Sequence, residues 1–214
     1  MIARLEAIAN LIILAGAFAL GVVIVISWLG SIRSPKAAPI SASRWFALPA
    51  WAQVIVGFAA IALFIYIGFL LWIRLPIRLP PEVSASLRII GLAIYLAGLS
   101  LVFWARWALG TMYGVSTTFA APLQAGHQLI QHGPYAFVRH PMYLGYWLML
   151  AAVTLVYRMW APLILLVMTL ASFHRRAQRE EFALAQQFGE VWKAYADNAP
   201  MFHPRWKKKS REDS

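Results

Sequence analysis

Residues 133–145 read GPYAFVRHPMYLG, and apolar segments long enough to cross a bilayer lie before and after them. The stretch places Arg139, His140 and Pro141 at what we predict to be a membrane boundary. Proline suits the first turn of a helix, where its missing N–H costs nothing. Arg139 and His140 are therefore expected at a helix N-terminus, whose free N–H groups and positive dipole end favour a carboxylate or phosphate. The residues fit equally well an arginine that anchors the helix end at the interface.

Composition places the chain among membrane proteins. Of its 214 residues, 61% are hydrophobic and only 13% are charged, whereas soluble domains carry about 25% charge. A hydrocarbon core of about 30 Å needs roughly 20 apolar residues in a helix. We predict an all-α integral membrane protein with about five transmembrane helices and a polar C-terminal helix. The predicted spans are residues 7–29, 48–73, 89–109, 142–156 and 160–173, the last two forming a tight hairpin.

The chain divides by polarity into an N-terminal three-span region, residues 1–109, and a more polar region, residues 110–214, in which we expect the functional site. The net charge of +11 lies largely in short loops and in the tail WKKKSRED. Because basic tails and loops favour the cytoplasmic side of a membrane, we expect the C-terminal region and the 110–141 loop to face the cytoplasm, across the inner membrane if the cell is bacterial. The loop 74–88, with three arginines, then lies outside, against the rule. The chain has no separate basic domain, so we do not expect it to bind nucleic acid.

Metal and thiol chemistry are not indicated. The chain has no cysteine, which excludes disulfides and thiolate nucleophiles. His127, His132 and His140 lie in one loop, but their spacings of five and eight residues match no common zinc pattern. We therefore expect no metal site.

A second polar cluster, RRAQREEF, follows the last apolar segment. Arg176 and Glu180 are four apart and share a helix face, while Glu181 points about 100° away. On a surface, such a pair is worth only a few tenths of a kcal/mol. This helix leaves the membrane on the side of GPYAFVRHPMYLG, so the clusters are expected to converge, with residues 140–143 facing the second cluster. Its predicted apolar stripe contains Phe182, Ala185, Phe188 and Val191 or Trp192, with a bend at Gly189.

These motifs resemble the isoprenylcysteine carboxyl methyltransferase family, which is related to the membrane phospholipid N-methyltransferases. GHQLIQHGPYAFVRHPMYLG, then REEFALAQQFGEVWKAY and a closing MFHPR carry the family's landmarks in order over about residues 120–205. Ile130 stands where the family has valine. The resemblance implies a small multi-span enzyme that holds S-adenosyl-L-methionine in a cytoplasmic pocket. It would transfer a methyl group to a lipid-like or amphiphilic acceptor, whose carboxylate, amine or thiol chemistry the sequence leaves open.

The resemblance also implies residue roles. Glu180 matches a cofactor-binding glutamate and Arg176 an arginine that faces the methyl acceptor, which makes these two the predicted catalytic residues. A polar family contact upstream would fall near Ala120, which has no polar side chain. The other matched cofactor contacts are His127, Gln128, Leu129, Ile130, Tyr135, His140, Pro141, Met142 and Tyr143.

The residues themselves add two candidates to this cofactor site. Arg139, at the helix N-terminus, suits the methionine carboxylate of the cofactor. Glu181 lies beside Glu180, and either carboxylate is suited to take a proton from an amine acceptor.

Two alternatives remain open. Some membrane sterol and enone reductases that use NADPH end in a similar Gly-Pro-Tyr…Arg-His-Pro-x-Tyr region, although the Glu-Glu…Phe-Gly tail favours the methyltransferase. A non-catalytic membrane protein, whose polar clusters only anchor helices, is the other.

Overall fold

The computed structural model describes residues 2–33, 50–110 and 128–203. Within these ranges the chain forms five α-helices and no β-strand; Arg74 and Met159 form an isolated bridge. The predicted all-α architecture is therefore confirmed for the described residues. The helices are α1 (Ile2–Arg33), α2 (Ala50–Leu70), α3 (Pro81–Leu109), α4 (Pro141–Tyr157) and α5 (Trp160–Asn198), with a 3-10 turn at Gly133–Ala136.

Two of the described helical segments, Arg4–Ile26 and Pro81–Leu109, are long and apolar enough to cross a membrane. Phe58–Leu70 of α2 and Pro141–Tyr157 are apolar but shorter. Large apolar side chains of α2, such as Phe58 and Phe69, are mostly exposed in the isolated chain, as lipid-facing side chains are. The count of about five spans and the position of the loop between the third and fourth stay predictions.

Helix α3 begins eight residues earlier than predicted. The prolines of RLPIRLPPEVSAS were expected to keep residues 74–88 in a loop, but Pro81 occupies the first turn of α3. A proline there has a suitable φ and lacks only an N–H that would have no helical partner. The connection from α2 to α3 is therefore only residues 71–80.

Helices α3 and α4 pack closely through facing glycines. A Cβ added at Gly145 would lie 2.6 Å from the Val102 side chain and 2.8 Å from the carbonyl oxygen of Gly98. Small residues at such contacts let two helices in a membrane approach closely. The hydrophobic effect does not drive helices together in lipid, so their association depends on close dispersion contacts. Helix α1 joins this core through Tyr95, whose hydroxyl donates a 3.0 Å hydrogen bond to the carbonyl of Ile13.

The predicted hairpin between α4 and α5 is confirmed. Arg158 ends α4 in the left-handed conformation, with φ 53° and ψ 50°, and α5 begins at Trp160. Helix α5 continues without a break from its apolar first half into the polar second half. At Gly189, with φ 52° and ψ −121°, the backbone leaves helical geometry, as the sequence predicted. This kink turns the last residues of α5 towards residues 129–139.

Candidate active site

The N-terminal end of α4 is held against the segment that follows α5. His140 precedes Pro141, the first helical residue. The backbone N–H groups of Arg139 and His140 donate to the carbonyls of Pro200 and Met201, at 2.9 and 3.1 Å. The two motifs quoted from the sequence, RHP and MFHPR, are therefore joined main chain to main chain.

Glu181 is the centre of a buried ion-pair cluster. Arg139 binds both of its carboxylate oxygens, through Nε at 2.8 Å and Nη2 at 3.1 Å. His140 Nε2 lies 3.0 Å from Oε1 of the same carboxylate. Burial alone raises the pKa of Glu181, but the hydrogen bonds and charges of His140 and Arg139 outweigh it and bring the pKa below its ordinary value. Glu181 is thus an ionised acceptor, so Nε2 of His140 carries the proton between them.

Arg139 has little capacity left for a ligand. Besides Glu181, its Nη1 donates to the carbonyls of Ala196 and Ala199 near the end of α5. Four of its five N–H donors are therefore directed at the protein. The guanidinium also lies 5.8 Å from the centre of the Trp192 ring. Arg139 is therefore held by contacts within the protein, and its role as an anion ligand stays a prediction.

Glu180, the neighbour of Glu181, is more accessible and less fully bonded. Its Oε1 accepts hydrogen bonds from the Tyr143 hydroxyl at 2.6 Å and from Arg176 Nε at 3.0 Å. Its Oε2 lies 3.7 Å from His140 Nδ1, beyond hydrogen-bond distance. The His140 ring is therefore between the two glutamates, and one oxygen of Glu180 has capacity for a ligand.

Arg176 also has donors that no described residue accepts. Its guanidinium lies 5.7 Å from the Tyr143 ring centre, and its terminal nitrogens have no hydrogen-bond partner in the part of the chain that the structure describes. Because the side chain is about 29% exposed, these nitrogens can reach an anionic group beside Glu180. The predicted convergence of the two polar clusters is confirmed by these contacts.

An aromatic wall, formed by Tyr143, Trp147, Phe173 and Phe202, lines the cluster. Phe173 stacks on Tyr143 with ring centres 4.9 Å apart, and Phe202 packs on Trp147 at 4.6 Å. Trp147 Nε1 is buried and has no hydrogen-bond partner among the described residues. Sequence reasoning missed these residues except Tyr143. Two features of the sequence could have indicated these residues. Tyr143 and Trp147 are four apart and so share a face of α4, and Phe202 lies within the quoted motif MFHPR.

The predicted cofactor contacts that precede α4 differ from one another in burial. His127 lies outside the described residues, and Gln128 is exposed. Leu129 packs against Trp192 and Tyr195, and Ile130 is half-buried. Tyr135 is buried, and its carbonyl accepts a 2.8 Å hydrogen bond from the Tyr195 hydroxyl.

Two residues expected to face the second cluster do not meet it in these contacts. Pro141 is fully buried, and Met142 packs against the core formed by α1, α3 and α4. His140 and Tyr143 do face the second cluster, as predicted. Successive helical residues are about 100° apart, so a run of four cannot share one direction.

The predicted apolar stripe of α5 is partly wrong. Phe182 is 65% exposed and Val191 is 59% exposed. The inward side instead follows a 3.6-residue period that includes the charged Glu181. The predicted stripe was based on apolar residues alone and therefore left Glu181 out. The inward residues are Ala177, Glu181, Leu184, Phe188, Trp192 and Tyr195.

No group of three or more His, Cys, Asp or Glu side chains that could hold a metal ion occurs within residues 2–33, 50–110 and 128–203. The described side chains at the site are carboxylates, guanidinium groups, a phenol, an imidazole and aromatic rings. Such a set suits an organic ligand that carries both positive and negative charge.

Comparison with known proteins places this site in a matched region. Residues 87–191 match the model of the phospholipid methyltransferase family. The chain is 39% identical over 79 residues to protein-S-isoprenylcysteine O-methyltransferase of Xenopus laevis, a match that covers 35% of this chain and 26% of the frog protein. The chain thus spans about a quarter of that relative. These matches confirm the resemblance predicted from the sequence.

The fold is similar to a solved structure, that of the eukaryotic intramembrane Ras methyltransferase, an isoprenylcysteine carboxyl methyltransferase. The TM-score is 0.51 and the sequence identity 20%, over 74% of this chain and 55% of that one. At this identity the likeness supports the fold.

Proposed function

Because residues 87–191 match the model of the phospholipid methyltransferase family, we propose that this chain is an integral membrane methyltransferase that uses S-adenosyl-L-methionine. The observation that carries the proposal is the accessible carboxylate of Glu180, held by Tyr143 and Arg176 at the end of the apolar helix α4. Residues 110–214 would form the catalytic region, facing the cytoplasm.

The residues present fit the cofactor, which has a sulfonium, an ammonium and a carboxylate group. Oε2 of Glu180 can accept a hydrogen bond from the ammonium group. Aromatic rings attract cations, and the Tyr143 ring, whose hydroxyl donates to Oε1 of Glu180, stacks on Phe173. The free nitrogens of Arg176 suit a carboxylate, and the unpartnered Trp147 N–H suits a further acceptor.

Within this proposal the side chains divide into two groups. Glu180, Tyr143 and Arg176 touch the ligand space, whereas Arg139 and Glu181 act as positioning residues, because their bonds are to each other, to His140 and to α5. His140 stacks on Tyr143, with ring centres 5.5 Å apart, and transmits this positioning. Gln128, Leu129 and Ile130, with His127, would line the cofactor from the loop side.

When bound, the cofactor would supply an activated methyl group, which an acceptor attacks in line while the bond from the methyl carbon to sulfur breaks and S-adenosyl-L-homocysteine leaves. Such a reaction depends mostly on holding the two partners in one geometry and on excluding water. The buried ion pairs fix the glutamates, and the aromatic wall excludes water from one side. Arg176 orients an anionic acceptor; for an amine acceptor, Glu180 accepts the proton that methylation releases.

The acceptor is proposed to be lipid-like or amphiphilic and to enter from the bilayer, since the site lies at the end of apolar helices. A tritium-labelled methyl donor, incubated with the protein and total membrane lipid or peptide extracts, tests this. Label that base releases as methanol marks a carboxyl ester, whereas base-stable label marks an amine or thiol. Label that stays in water-soluble small molecules would contradict a lipid-like acceptor.

Cofactor binding is tested with the full chain purified in a mild detergent. We expect S-adenosyl-L-methionine to bind and NADPH not to bind. Glu180→Gln should weaken the affinity at least about tenfold, equivalent to about 1.4 kcal/mol. Glu190→Gln is the matched control, because that glutamate is on the same helix and its side chain is 89% exposed. Binding of NADPH alone, or equal affinity in parent and Glu180→Gln, would overturn the proposal.

A further inference from the structure

The opposite end of α4 carries a second, unrelated cluster of charges. The turn from α4 to α5 encloses a cavity of about 120 Å³ together with the starts of α1 and α3 and the 74–77 segment. Three arginines line it, Arg74, Arg88 and Arg158, against one carboxylate, Glu6. We call this group of three arginines and its cavity the arginine cleft. It shares no residue with the cluster around Glu180.

The positive charge of the arginine cleft is only partly compensated. Arg88 lies 3.5 Å from Glu6, whose side chain is about half exposed. Nη1 of Arg88 and Nη1 of Arg158 are both buried without a hydrogen-bond partner in the described part of the chain. Buried donors are nearly always satisfied, so two orphaned guanidinium nitrogens at one cavity indicate a missing acceptor.

The backbone holds these arginines in place. Arg158 is the one non-glycine residue with positive φ among the described residues, a conformation that disfavours any residue with a Cβ. Its carbonyl accepts a 2.7 Å hydrogen bond from the N–H of Leu75, and the N–H of Trp160 donates to Ile73 at 3.0 Å. These bonds fix Arg74 and Arg158 side by side although their charges repel. Strain of this kind often marks a ligand site.

The cleft is open to the outside. A wider depression of about 600 Å³ adjoins it and shares Arg74 and Arg158 as lining residues. This depression adds Arg78 and the half-buried Ser84, in the first turn of α3. An anion in this depression would therefore contact further donors next to the cleft.

We propose that the arginine cleft binds a phosphate group. Guanidinium groups are the preferred partners of phosphate, because their planar N–H donors match its oxygens. The 17 residues of α4 separate the cleft from the His140 cluster by about 25 Å, close to the thickness of a hydrocarbon core. The cleft would then lie at the headgroup level of the opposite leaflet, so the phosphate belongs either to a phospholipid or to a free anion. A phosphate bound there would also explain why residues 74–88 contain arginines on the outer side of the membrane, where the preference of Lys and Arg for cytoplasmic loops does not predict them.

Binding is measured on the full chain in a mild detergent, by the shift in thermal unfolding. One arm adds inorganic phosphate against chloride at equal ionic strength, and the other adds phosphatidylglycerol against a neutral glycolipid. Stabilisation by phosphate supports a free-anion source, and stabilisation by phosphatidylglycerol alone supports the headgroup. If neither stabilises the parent protein, the proposal is wrong.

Two variants and a control localise the effect. Arg158→Gly removes the guanidinium and suits the positive φ, so this variant is expected to fold. Arg88→Gln removes the second orphaned donor. Each should weaken phosphate or lipid binding at least about tenfold, whereas Arg179→Gln, at an exposed position of α5, should leave it unchanged. Equal binding by all three variants would place the phosphate elsewhere and overturn the proposal.

Discussion

The two ends of α4 treat charge in opposite ways. At the N-terminal end two arginines face two glutamates, Arg139 with Glu181 and Arg176 with Glu180. At the C-terminal end three arginines meet one half-exposed glutamate, and two of their nitrogens have no partner among the described residues. A neutralised cluster fixes its side chains before any ligand arrives, whereas an uncompensated one depends on a ligand for its charge balance. The first arrangement suits catalysis and the second suits binding.

The largest loss of stability is expected when a carboxylate is removed from the neutralised cluster at the N-terminal end of α4. Glu181→Gln leaves the guanidinium of Arg139, only 12% exposed, without its carboxylate. Removing one partner of such a pair costs about 3 kcal/mol. Unfolding in detergent, followed by far-UV circular dichroism, measures this loss. Glu190→Gln should change the stability by less than about 0.5 kcal/mol; equal losses in both variants would show that the ion pair contributes nothing.

The same carboxylate predicts an acid dependence. The pKa of Glu181 is lowered in the folded protein, because the bonds to His140 and Arg139 outweigh its burial. Its contribution is therefore fully present above the unfolded pKa of about 4.5 and is lost as the pH falls through the folded pKa. The stability difference between parent and Glu181→Gln should be constant from pH 5 to 7, on the order of the value above, and shrink below pH 4.5. A difference that does not change down to pH 3 would contradict this assignment.

The next effect concerns the close contact between α3 and α4 at Gly98 and Gly145. Gly145→Ala places a methyl group 2.8 Å from the Gly98 carbonyl, where backbone must move. We expect a loss of about 2 kcal/mol, typical of overpacking. Gly68→Ala, where a Cβ meets nothing within 4 Å, should be neutral or slightly stabilising. A neutral Gly145→Ala would mean that α3 and α4 do not approach through these glycines.

A smaller effect is expected at the rim of the neutral end. Tyr195→Phe removes the hydrogen bond to the Tyr135 carbonyl, worth about 1 kcal/mol. Burial, with the charge of Glu181 adding to it and Arg139 opposing it, raises the pKa of Tyr195 to about 12. The hydroxyl therefore stabilises the protein fully below pH 10, and this contribution is lost as the pH rises from 10 to about 12. Parallel alkaline unfolding profiles for the two proteins would contradict it.

The smallest effect tests the uncompensated end without its ligand. In phosphate-free detergent Arg158→Gly should change stability by less than about 0.5 kcal/mol, because relief of the left-handed strain offsets the flexibility of glycine. Arg158→Ala keeps the strain and serves as the comparison; it should be the less stable of the two. A large loss in Arg158→Gly would show that the guanidinium already has stabilising partners.

Much of the fold follows from local chemistry. Apolar length predicted the helices, and the Tyr157-Arg158-Met159 break predicted the hairpin. The RHP and REEF clusters were expected to meet, and His140 and Tyr143 do contact the glutamates. The partner of each charge was not predictable. Glu181 was expected only to point about 100° away from the face shared by Arg176 and Glu180. Arg139, 42 residues earlier in the chain, binds this carboxylate and makes its burial favourable.

Aromatic contacts were the other gap. Nothing in the spacing of Phe173 and Phe202 indicates that both meet α4, because these contacts depend on the kink at Gly189 and on the path of the chain after α5. The orphaned arginines were equally invisible. Arg88 was noted only as a charge on an unexpected side of the membrane, and Arg158 only as part of the break between two apolar segments. That Arg74 lies beside Arg158 depends on the backbone bonds between residues 71–75 and 158–161.

The bonds of Arg139 also bear on how the protein is made. Its guanidinium binds Glu181 before the kink at Gly189 and the carbonyls of Ala196 and Ala199 after it. The backbone N–H of Arg139 donates to the carbonyl of Pro200, and the ring of His140 packs against that of Phe202, so both contacts need residues that follow α5. After α4 has been synthesised to Tyr157, the ribosome must therefore add about 42 further residues, up to Ala199, before the cluster can close. Until then Arg139 and His140, two ionisable side chains at the start of α4, lack these partners.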